Sequence, residues 1–108
     1  MNMTQITLVR GDKNYVLDFT IYDMDGEKVN LVGSSTIILK LKSYANGTLT
    51  QIIGQVVDPP SNGEVRFPVV EEFLSAVGEF KAEIEIAYAG GKVITAPNIS
   101  VKIIADLV

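Results

Sequence analysis

Along most of this chain apolar and polar residues alternate with a period of two, the repeat of a strand with one face on a core. Tyr15, Leu17, Phe19 and Ile21 share one phase against Val16, Asp18, Thr20 and Tyr22. Ile37, Leu39 and Leu41 stand likewise against Ile38, Lys40 and Lys42. The cleanest alternation sets Phe80, Ala82, Ile84 and Ile86 against Lys81, Glu83, Glu85 and Ala87. Ile99, Val101 and Ile103 alternate with Ser100, Lys102 and Ile104, and weaker runs at 6–9, 49–57, 65–67 and 92–95 fit further strands. Turn chemistry separates the runs, at Asp23-Met24-Asp25-Gly26, Asn46-Gly47, Asp58-Pro59-Pro60-Ser61-Asn62-Gly63, Ala89-Gly90-Gly91 and Pro97. Pro59-Pro60 cannot lie inside a central strand and marks a crossing between elements.

One segment departs from this period. Val70, Phe73, Leu74 and Val77 follow the i, i+3, i+4, i+7 spacing of a helix, with room for about two turns before Gly78. About seven short strands with a single helical turn near 70–77 predict an all-β fold, an antiparallel immunoglobulin-like β-sandwich forming one domain over 1–108. In that arrangement the third and sixth strands pair. Lys40 and Lys42 are then expected on the same outer face as Glu83 and Glu85. Val16, Tyr22, Ile38, Ala87 and Ile104 should point outward, the last three of these on the outer face of one sheet. An apolar strip there would be a docking surface, so Tyr22, Ile38, Ala87 and Ile104 are the candidate partner-binding residues.

Composition sharpens that expectation. The chain has 108 residues, 47% of them hydrophobic, with 9 Lys+Arg against 13 Asp+Glu and a formal net charge of −4. Its mean hydropathy is +0.28, high for an acidic chain of this size. There is no Cys, so no disulfide, thiol nucleophile or thiolate zinc site, and no His, so neither a Ser-His-Asp triad nor an imidazole ligand. The acidic balance and the scattered basic residues argue against nucleic acid as a partner. The N-terminal ten residues lack a basic leader and an apolar run, so no signal peptide is expected. No stretch approaches the ~20 apolar residues of a membrane span, so no membrane insertion is expected either.

Candidate chemistry is thin. Counted from Asp23 as a calcium loop, the fifth, sixth and twelfth positions are Glu27, Lys28 and Ser34, where Gly and Glu are needed at the last two. The segment reads as a hairpin turn with solvated carboxylates, and no metal or cofactor is expected. Glu71-Glu72 and Asp23/Asp25 are adjacent surface carboxylates, whereas a glycosidase needs its pair across a cleft. Gly90-Gly91 precedes Lys92 with neither a Ser or Thr after it nor a helix, which is a hairpin and not a phosphate loop. The four Tyr and four Phe read as core packing more readily than as a sugar-stacking platform, since most stand at inward phases and Trp is absent. No enzyme is expected.

The order of motifs resembles the N-terminal immunoglobulin-like domain of the baseplate upper protein of phages infecting Gram-positive bacteria, found also in related tail proteins. The resemblance runs through Arg10-Gly11-Asp12, the strand ending in Asp23-Met24-Asp25-Gly26, and Val29-Asn30-Leu31-Val32-Gly33. It continues through Asn62-Gly63-Glu64-Val65-Arg66-Phe67, Gly78-Glu79-Phe80-Lys81-Ala82-Glu83-Ile84, and a Gly-Gly hairpin reaching Thr95-Ala96-Pro97. Asn30 stands where the pattern often has Asp, and Phe80 where it often has Tyr. Long members also carry stem and receptor-binding portions that have no counterpart in these residues. The resemblance implies a structural role in the virion, tail or baseplate, made in the host cytoplasm. Its expected partners are other virion proteins, with homo-oligomers possible for such modules, and it carries over no catalytic residue. Two alternatives remain open: a surface-adhesion or carbohydrate-binding sandwich using Tyr44, Asn46 and Asn62, and an enzyme accessory domain without chemistry of its own.

Overall fold

The alternating runs form eight strands in a computed structural model that describes residues 4–10, 16–69 and 77–105. They are β1 (Thr4–Val9), β2 (Val16–Thr20), β3 (Ser34–Ser43), β4 (Leu49–Ile53), β5 (Gln55–Val56), β6 (Glu64–Pro68), β7 (Gly78–Tyr88) and β8 (Val93–Ile104). A five-stranded sheet has the order β1-β8-β7-β3-β4, and a three-stranded sheet the order β2-β6-β5. All pairs are antiparallel except β1 with β8, which run parallel from Thr4↔Ile99 to Val9↔Ile104. The fold is an all-β, sandwich-like pair of sheets, as the period of two predicts.

The inward phases are the expected ones. Leu39, Leu41, Ile84, Ile86, Val101 and Ile103 from the larger sheet meet Leu17, Val65 and Phe67 from the smaller, all of them buried. Val29 and Leu31, in the connection between β2 and β3, complete this core. Phe19 packs its ring edge-on to Phe67, with centroids 5.8 Å apart. Among the described residues no polar or charged side chain is buried, so the interior is held by apolar contact alone and its hydrogen bonds are those of the backbone.

Two of the predicted runs are organised differently. The run 49–57 is not one strand: β4 belongs to the larger sheet and β5 to the smaller, and the chain changes layer at Gly54. The Gly54 N–H closes the β4 ladder by donating to the Ile37 carbonyl at 2.8 Å, while a Cβ there would overlap the buried Phe67 ring. Conversely, the runs 92–95 and 99–104 are a single strand. Ala82 pairs with Ile99 but Ile84 with Ala96, so positions 97 and 98 together face Glu83 as a β-bulge. The bulge accommodates Pro97, which had read as a break.

Of the helical turn expected at 70–77, residues 70–76 lie outside the described residues, as do Tyr15, Glu71, Glu72 and Phe73; Val77 is exposed and in no strand. The helical element that is described is a 3-10 turn, Pro60–Asn62, ended by Gly63 at φ 68°. Gly63 lies against the Ile21 and Val29 carbonyl oxygens, each 2.9 Å from where a Cβ would stand. Asp58-Pro59, which leads into this turn, is a cis peptide.

Candidate functional site

The outer face of the five-stranded sheet is built from the phase opposite to the core. In β3 it presents Thr36, Ile38, Lys40 and Lys42, and in β7 Lys81, Glu83, Glu85 and Ala87. The expected Lys/Glu cluster is on this face. Lys40 lies directly across from Glu83 and donates to Glu85 Oε2 at 2.7 Å. That hydrogen bond, opposed by desolvation and reinforced by the charges of Glu85 and Glu83, raises the Lys40 pKa above its ordinary value. Lys42 does not join the acids: its cross-strand partner is Lys81. These two lysines, Lys40, Glu83 and Leu49 border a shallow, open depression of about 360 Å³.

Ile38 and Ala87 are brought together. Ile38 pairs with Glu85 and Ala87 with Thr36, which makes Ile38 and Ala87 diagonal neighbours on the same face. Two residues that the sequence reading did not single out extend them. Ile53 lies directly across from Ile38 in β4, and Val93 directly across from Ala87 in β8, 72% and 55% exposed respectively. Ile53-Ile38-Ala87-Val93 is therefore an apolar diagonal crossing four strands. The sequence alone does not mark Ile53, because 49–57 reads as one strand of mixed phase, nor Val93, because its run is short.

Ile104 shares the face but not the diagonal. The β7–β8 register puts Ile103 beside Gly78 and Val93 beside Ala87, so nine residues of β7 separate the two places, about 30 Å at strand rise. Ile104 is 37% exposed and neighbours Val9 across the parallel pair. Tyr22, 56% exposed, is on neither sheet; it forms an isolated bridge with Lys28 in the hairpin beyond β2. Val16 is exposed as expected, on β2.

The remaining candidates have structural partners. Asp23 Oδ1 accepts from the Asp25 N–H at 2.9 Å and the Glu27 N–H at 3.0 Å, fixing the turn that had invited a calcium reading. No cluster of three or more possible metal-ligating side chains occurs among the described residues. Tyr88 packs its ring against the core and donates its hydroxyl to the Asn30 carbonyl at 2.9 Å. Partial burial raises its pKa. Tyr44 and Asn46 lie in the β3–β4 turn, beyond Ser43 and Phe80, whereas Asn62 lies near Leu31 and Gly63 at the other end of β3. The three do not line one groove.

The family model describing the BppU N-terminal domain, the N-terminal domain of a phage baseplate upper protein, matches residues 1–108. The chain belongs to this family. BppU N-terminal domains are parts of phage baseplate structural proteins, so membership gives this chain a place in the virion and other virion proteins as neighbours. A search of curated proteins found no match. Among the described residues no helix is long and apolar enough to cross a membrane.

Proposed function

We propose that this BppU N-terminal domain is a non-catalytic docking module of the phage baseplate. In this reading 1–108 is one immunoglobulin-like domain, and it holds another virion protein on the outer face of its five-stranded sheet. Family membership supplies the setting, and the apolar diagonal Ile53-Ile38-Ala87-Val93 is the observation that carries the surface. Apolar side chains in a continuous row across a solvent-facing sheet gain by being covered, and the flanking Lys40–Glu85 pair supplies a polar rim. The strand orders β8-β7-β3-β4 and β2-β6-β5, which correspond to the GFCC′ and BED layers of such a sandwich, support the immunoglobulin-like reading. Tyr22, on neither sheet, and Ile104, about 30 Å along β8 from Val93, stand apart from the diagonal; as partner contacts they would need a second surface.

The test is a substitution on the diagonal. Ile38→Lys places an ammonium at its centre, outside the core. The variant should lose at least about tenfold in affinity for its baseplate partner, measured by titration with purified baseplate proteins. Its melting temperature should stay within a few degrees of the parent. A variant that assembles as well as the parent overturns the assignment of the surface, and one that fails to fold overturns the outward phase of Ile38.

A further inference from the structure

β4 ends the five-stranded sheet, and among the described residues its outer edge carries none of the features that ordinarily protect an edge. No charged residue stands between Lys42 and Asp58, and the segment holds no proline. The β3–β4 register runs without a bulge from Lys42↔Leu49 to Ile38↔Ile53. The other edges differ. Of those in the smaller sheet, β2 carries Asp18 and β5 has two residues, and the β1 edge ends at Arg10, whose N–H bonds the Ile104 carbonyl.

Hydrogen-bond phase fixes which groups of β4 are open. The Gly54 N–H bonds the Ile37 carbonyl and the Thr48 carbonyl accepts from the Ser43 N–H, so the even-numbered residues between them point their backbone groups toward β3. Leu49, Gln51 and Ile53 therefore direct their N–H and C=O groups away from the sheet. Among the described residues no backbone group outside β3 bonds to them. The same three residues have exposed side chains on the outer face.

We infer that the β4 edge pairs with the β4 edge of a second copy, antiparallel, about a two-fold axis through Gln51. The segment is self-complementary in this register: Gln51 meets Gln51 of the copy, and Leu49 meets Ile53 on either side. All three pairs are of the type that exchanges two backbone hydrogen bonds, up to about six in total. Leu49 and Ile53, 56% and 72% exposed, cover one another. The charges permit it, because each Lys40 stands one strand in from the edge. The two Lys40 residues are then three strand spacings apart, about 14 Å, which exceeds the screening length of about 8 Å at physiological salt. The area is small. A five-residue edge covers less than the ~1,600 Å² of a standard interface, so one pairing is weak and gains strength where copies are already held close. The inference goes beyond the baseplate reading and does not depend on it.

The test uses the chain alone. Sedimentation equilibrium from about 10 µM to about 1 mM should show the average mass rising from 11.7 kDa toward twice that value. Amide exchange of Leu49, Gln51 and Ile53 should slow over the same range. Gln51→Lys sets two ammonium groups against each other on the axis and should weaken association at least about tenfold; because the new ammonium also faces Lys40 across the β3–β4 pair, the monomer's melting temperature should fall by no more than a few degrees. A monomer at every concentration, a dimer indifferent to Gln51→Lys, or a dimer without protection of the three amides would each overturn the pairing.

Discussion

Gly54 shows how much can rest on the absence of one side chain. It is where the chain leaves one sheet for the other, and the space a Cβ would need is taken by Phe67, which is fully buried. Gly54→Ala therefore overfills the core at its centre. The expected cost is about 1–3 kcal/mol, read from urea denaturation. Tyr88 makes the opposite case, a polar atom kept at the margin. Its pKa is raised by partial burial, so the folded state keeps the hydroxyl proton at pH values where the unfolded chain has lost it. That contribution is complete below the ordinary tyrosine value of about 10 and is lost as pH rises through the raised one. The Lys40 pKa is also raised, chiefly by its hydrogen bond to Glu85, and works in the same direction above the usual lysine range. Stability should thus fall in alkali. Tyr88→Phe should flatten the first part of that fall, at the cost of the hydrogen bond to Asn30, as followed by denaturation between about pH 9 and 11.

At the scale of elements, alternation tells which residues face the core but not which sheet a strand joins. The buried sets in β2, β3 and β7 were legible because each keeps one phase for its whole length. β4 and β5 were not separable, since nothing in Leu49-Thr50-Gln51-Ile52-Ile53-Gly54-Gln55-Val56 records that the partner changes from β3 to β6. β8 hid its continuity in the reverse way. Ile94 and Ala96 pack against the core on even positions, while Ile99, Val101 and Ile103 are buried on odd ones. Such a phase change reads as two strands unless a bulge supplies the extra residue. The bulge makes a counterintuitive prediction. Deleting Pro97 restores strict alternation between Ala96 and Ile99 and leaves each inward residue inward. The deletion should fold cooperatively with a loss within about 1–3 kcal/mol, whereas deleting Ser100 throws one half of β8 onto the wrong face and should abolish the cooperative thermal transition. Diagonal neighbours were the other illegible relation. Ile53-Ile38-Ala87-Val93 exists only once register is fixed, because its members come from four separate strands.

For the molecule as a whole, the high hydropathy divides between two uses. Part fills an interior that, among the described residues, has no polar member, and part lies outside on one sheet. The proposed diagonal and the proposed β4 pairing meet at Ile53, where a face and an edge of that sheet join. A baseplate protein that covers the face and a second copy that extends the edge would touch adjoining atoms, so each could favour the other. The parallel pair of β1 with β8 has a consequence for the birth of the protein. Leu8, buried in the phase of Val101 and Ile103, acquires its neighbours from β8, the most distant strand of the domain in sequence. During synthesis β1, the first strand of the domain, cannot form its ladder until β8, seven strands later, has been made. Until then the flank of β8 that it will occupy does not exist, and the core stays open on that side. Closure this non-local predicts refolding on the millisecond-to-second scale, to be read by stopped-flow circular dichroism.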